Sequence, residues 1–277
     1  MIAKTASIML LYIVSAAAGN PECDSLTATA KWALFAEQNR DAITYAVSSA
    51  ACAPDDAASI EIATLGILFE MKRILGIDKD SAPEQLPVGT PEVEILSSQF
   101  MQLIAEGRRR TQETLAKDPN DINAMFLRAK INLNLVWFNL QILDKKSGLD
   151  EFEEAQELLQ QVLAQNPDQC RALTASGWIH YKIGTLGFFQ RLGLKMVGIS
   201  GDADEGRRRI AKAATVSTCD PWDHDETLFS LMGVLIREKK WEDVVRYGTE
   251  LQRKYPTNLG IAKGLAEAAA ELEKHRK

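Results

Sequence analysis

The residues able to do chemistry are few in this sequence of 277 residues, and they gather in one place. The densest polar group is Cys219-Asp220-Pro221-Trp222-Asp223-His224-Asp225-Glu226. Asp220, Asp223, His224 and Asp225 are of the types that ligate a divalent metal, because carboxylate and imidazole are ordinary donors. Their position at the start of a helix favours another role, accepting bonds from free backbone N–H groups at the positive end of the helix dipole. No metal site is expected. Of the three histidines, His275 lies in a charged tail and His180, beside Tyr181, has no serine or cysteine to activate. The sequence contains no GxGxxG, Walker A, GxSxG or HExxH pattern. The expectation is a non-enzymatic chain with no cofactor. Basic and aromatic residues are not interleaved as they are where nucleotide bases stack, so nucleic acid is not an expected partner.

The net charge of -6 offers no general attraction to polyanions, and 46% hydrophobic with 25% charged residues is ordinary for a folded protein. Two basic runs, Arg108-Arg109-Arg110 and Arg207-Arg208-Arg209, fall in helical stretches, where three consecutive residues fan around the axis. They read as solvated faces paired with nearby acids.

The elements that would carry these residues are helices. Phe152, Ala155, Leu158, Leu159, Val162 and Leu163 recur at three- and four-residue steps, as do Leu228, Leu231, Met232, Leu235 and Ile236. Trp241, Val244, Val245, Leu251 and Tyr255 form a third stripe. Asp118-Pro119-Asn120, Asn166-Pro167-Asp168 and Tyr255-Pro256-Thr257-Asn258 each end a helix, because proline pushes the preceding residue out of the α region. The Asn or Asp that follows can cap the next helix. Short turns of this kind predict antiparallel neighbours, and so an all-α stack of helical hairpins. Prolines and glycines between 77 and 90 read as a linker joining an N-terminal helical unit at 20–76 to a main array at 91–277. The glycine-bearing stretch 184–202 is apolar, unlike a flexible linker, and its 186–199 core is expected to fold back as filling or to serve as an interface.

These features resemble the tetratricopeptide-repeat family over most of residues 91–277. Ala155 falls where the second helix of such a repeat packs on its first, Leu159 on the large apolar position and Pro167 on the terminal proline. Segment 225–258 matches one whole repeat, with Leu228 and Leu231 at first-helix core positions and Trp241 after the turn, while Val244 replaces the preferred alanine. Gly201-Asp202-Ala203-Asp204-Glu205-Gly206 is similar to a turn found in divergent members, with Asp202 capping the helix that follows. The spacing of Pro119, Pro167 and Pro256 departs from the family's regular step. The resemblance implies a TPR-like α-solenoid, a right-handed superhelix that binds a protein or peptide in a concave groove. By that analogy Asn132, Asn139, His180 and Tyr181, on first helices, become groove candidates.

In the hairpins so implied, the start of the first helix lies beside the end of the second. Cys23 and Cys52 would then close one hairpin and Cys170 and Cys219 another, within the roughly 4.4–6.8 Å between Cα atoms that a disulfide spans. Four inert buried thiols are the alternative. The first residues have a lysine at position 4, an apolar run and Ala16-Ala17-Ala18, as in an export signal over 1–19, with an uncleaved anchor as the other reading. Together these features predict an exported, periplasmic or envelope-associated scaffold with a bacterial source. A solute-binding component working beside a transporter and a membrane-surface docking protein are the alternatives.

Overall fold

A computed structural model describes residues 21–77, 90–145, 147–187, 190–191, 195–196 and 198–276. The expected signal at 1–19, nearly all of the 77–90 segment and part of 186–199 lie outside the described residues. Eleven helices make up the described architecture. In chain order they are α1 (Pro21–Phe35), α2 (Asn39–Cys52), α3 (Ala58–Ile74), α4 (Pro91–Lys117), α5 (Ile122–Gln141) and α6 (Leu149–Gln165). They continue as α7 (Cys170–Gly184), α8 (Ala203–Ala213), α9 (Pro221–Arg237), α10 (Trp241–Lys254) and α11 (Leu259–Arg276).

Several starts have a local cause. Thr90, Asp121, Asp202 and Asp220 accept N–H bonds at the first turns of α4, α5, α8 and α9, and proline occupies the first position of α4 and α9. Asp118 and Asn166, each before a proline, are extended and close α4 and α6 as expected. The caps that follow sit one residue later than Asn120 and Asp168. Asp118 and Asn166 instead accept from Asn120 N and Asp168 N in tight side-chain turns, leaving Asp121 and Gln169 to cap α5 and α7.

The packing order is that of a hairpin array. Successive odd-numbered helices lie side by side, α1 on α3, α3 on α5, α5 on α7 and α7 on α9. Each even-numbered helix packs between the odd helices before and after it. The odd helices thus form one layer and the even helices the other, which is an all-α solenoid of antiparallel hairpins. Helix α3 pairs with α4 across the 77–90 segment, and Ile67, Leu68 and Met71 of α3 share one apolar cluster with Phe100, Ile131, Leu159 and Ile179. The 20–76 segment is therefore the first hairpin plus half of the second.

Candidate functional site

The inner faces of the odd helices converge on a network of six charges. Lys130 of α5 lies 3.6 Å from Glu61 of α3 and donates to Glu226 of α9 at 2.8 Å. Arg171 of α7 stands 3.4 Å from Asp223 of α9 and lies over the Phe126 ring of α5, 4.1 Å from its centroid. Lys31 of α1 approaches the same Asp223 at 3.9 Å. Three positive and three negative charges from five helices meet where solvent is scarce, so their mutual attraction is little screened. Burial alone would lower the pKa of Lys130, but Glu226 and Glu61 outweigh it and raise it. At Asp223 burial wins over Arg171 and Lys31, and the carboxyl titrates above its ordinary range. The network holds helices in register.

Two turns further along, the same face changes character. Trp137, Trp178 and Gly233 follow Lys130, Arg171 and Glu226 respectively by seven residues, which returns a helix to nearly the same face. Both tryptophans are half-buried. Trp178 stacks on Tyr181 at 6.1 Å, and the Lys182 ammonium and Arg237 guanidinium lie 5.1 and 5.2 Å from its ring centroid. Gly233 leaves room for the indole, since a Cβ there would stand 3.3 Å from Trp178 Cη2. This half of the face offers flat aromatic surface rimmed by cations.

No protein-family model matches the chain, and no curated protein matches it in sequence. Among solved structures it is similar to the crystal structure of a thermophilic TPR protein from Thermus thermophilus. The two share 11% identity over 90% of this chain and 99% of that one, with a TM-score of 0.46.

The disulfide pairs stand as the hairpin geometry implied. Cys23–Cys52 and Cys170–Cys219 are joined, with Cα atoms 5.7 and 5.8 Å apart. The acidic cluster at 220–226 is dispersed among partners rather than gathered on one point. Asp220 alone caps the helix, Asp223 and Glu226 enter the charge network, and Asp225 accepts from Lys254 Nζ at 2.6 Å and Tyr255 Oη at 2.7 Å. Among the described residues no three His, Cys, Asp or Glu side chains form a metal-sized group.

The four groove candidates do not line the inner face. Asn132 is wholly buried, accepting from Arg108 and donating to Glu154. Tyr181 is buried, and Asn139 donates to the Ser147 carbonyl in the turn before α6. His180 faces a small cleft with Gln156, Gln160, Ser176 and Arg209, residues of α6, α7 and α8. Burial first, and Arg209 next, lower its pKa. The physical reason is angular. Asn132 and His180 lie two residues from Lys130 and Trp178, about 200° round the helix, and so point at the even-numbered layer. The spacing Phe126, Lys130, Trp137 beside Arg171, Trp178, Lys182 was the signal for the inner face.

The basic runs divide likewise. Arg109 and Arg208 are exposed and paired with acids on their own helices, as expected. Arg110 is buried, a departure from the expected solvated face. Its guanidinium donates to the carbonyls of Ala50, Ala53 and Asp56 and so ties the C-terminal end of α2 to the turn before α3.

Proposed function

We propose that the chain is an exported scaffold that holds a peptide or protein segment against the inner face of its odd-numbered helices. The observation carrying this reading is the half-buried Trp178 on that face, with Lys182 and Arg237 over its ring and a second half-buried tryptophan, Trp137, on the neighbouring α5. Aromatic and cationic side chains in partly desolvated positions are the ones that anchor polypeptide partners. Export is supported by the two disulfides, which persist in oxidising compartments, together with the signal-like residues 1–19. No helix among the described residues is long and apolar enough to cross a membrane.

Selection of peptides from a random display library on the mature, oxidised protein tests the binding role. Selected peptides are expected to lose at least about tenfold in affinity against Trp178→Ala and Trp137→Ala, in line with aromatic anchors worth about 2 kcal/mol. Peptides that bind both variants as tightly as the parent would refute the placement on this face.

A further inference from the structure

Repeat arrays are held together by contacts between neighbouring units, and the first unit has no need to touch the last. Here it does. The turn after α1 meets the turn before α11, residues more than 220 positions apart. Thr257 Oγ1 donates to the Ala36 carbonyl at 2.9 Å, and Asn258 Nδ2 donates to the Phe35 carbonyl at 2.7 Å. Glu37 accepts in the other direction, from Leu259 N at 3.0 Å and Gly260 N at 3.3 Å. Each turn thus satisfies backbone groups orphaned at the end of the other's helix. Glu37 does this with φ at +60°, a left-handed conformation that a residue with a Cβ seldom adopts.

One ring completes the contact. Phe35 stacks on Phe229 with centroids 5.1 Å apart and on Trp222 at 6.5 Å, and meets Tyr255 edge-on at 5.3 Å. Lys31, one turn earlier, reaches Asp223. Helix α1 is tied to α2 and α3 quite differently. Small residues interlock there (Ala30, Ala33, Ala42, Ala46, Ala63), and the Thr27, Ser49 and Ser59 hydroxyls bond one another. The Cys23–Cys52 disulfide fastens the same hairpin. Toward α9–α11 it presents the 35–37 turn, the Phe35 ring and the Lys31–Asp223 pair.

We propose that residues 35–37 are a clasp closing the helix stack into a ring, and that its release opens the ring while leaving the hairpins intact. Opening uncovers Trp222, Phe229 and the Arg171–Asp223 pair, the charged half of the inner face, so the clasp governs access to it. This inference is independent of whether a peptide binds at Trp178.

Pulsed electron-electron resonance between spin labels at positions 48 and 267 tests it, with labels attached through azide-bearing residues so that both disulfides persist. The wild-type protein should give one narrow, short-distance population. The Phe35→Ala/Glu37→Ala variant should show a broad population displaced to longer distance, with its helical circular dichroism retained. An unchanged distance in a variant that remains helical would overturn the clasp. If that variant loses helicity, Glu37→Gln decides the matter through amide exchange at Leu259 and Gly260. Exchange at least about tenfold faster at these two amides supports the clasp, and unchanged exchange overturns it.

Discussion

Glu70 on α3 is almost wholly enclosed and surrounded by donors. Arg73 contributes two bonds of 2.8 Å, Arg40 one of 2.7 Å and Asn39 a longer one of 3.5 Å. The Arg73 bonds, opposed by burial and reinforced by Arg40, hold its pKa down at about 2 against an ordinary 4.5. A carboxyl depressed on folding stabilises the native state fully above its unfolded pKa, and that contribution fades as pH falls toward the folded value. Glu70→Gln should cost about 1–3 kcal/mol at pH 7, a range discounted for the exposure of both arginines. The penalty should shrink steadily below about pH 4.5. Urea titrations at pH 7 and pH 3 check this, and an equal penalty at both would contradict it. Arg110 makes a second prediction through its neighbour. Arg110→Met strands the Ala50 and Asp56 carbonyls and should cost about 1–3 kcal/mol for each one left buried, whereas Arg109→Met, at an exposed position, should leave stability nearly unchanged. Chemical denaturation of both variants separates them. Both runs of arginines were legible as helical. Which member was buried was not, because that depends on the end of α2 arriving from 54 to 60 residues away.

Among the helices, α7 and α8 approach most intimately, and glycine makes it so. A Cβ on Gly206 would collide with Tyr181 N and Gly177 O, and one on Gly177 would stand 2.8 Å from Ile210 Cγ1. Gly206→Ala should therefore destabilise the protein by about 1–3 kcal/mol through overpacking. Its thermal midpoint should fall by several degrees, and an unchanged midpoint would mean the crossing can relax. The Asp202 cap and the small residue that follows it were readable in the Gly-Asp turn, because both are local requirements of a tight hairpin. The pairing of α3 with α4 was not readable at 77–90, because composition marks a break in helix but says nothing about which helices pair across it. Reducing the Cys170–Cys219 bridge, which closes a separation of 49 residues, should cost roughly 3–4 kcal/mol. Denaturation with and without reductant in a Cys23→Ser/Cys52→Ser background, where this bridge alone is left to reduce, checks the figure.

At the scale of the molecule, alternating layers of helices leave the odd-numbered ones facing inward. Their inner face is part sealed by charge and part open at the tryptophans. Stripe spacing and proline turns were enough to foresee the hairpins, because each unit is specified by contacts near in sequence. The meeting of residues 35–37 with 257–260 was invisible, since no periodicity encodes a contact between the two ends of an array. Asn132 and His180, expected at the groove, point toward the even-numbered layer, about 200° round the helix from Lys130 and Trp178, an angle that only the packing partners settle. The claim that the inner face is the binding face is tested most directly by photo-crosslinking in cells that produce the protein. A benzophenone amino acid would be placed at position 178 in one protein and at position 160, an exposed site on α6, in another. A discrete adduct from position 178 and none from 160 is the predicted outcome. Adducts from 160 alone, or equally from both, would contradict it.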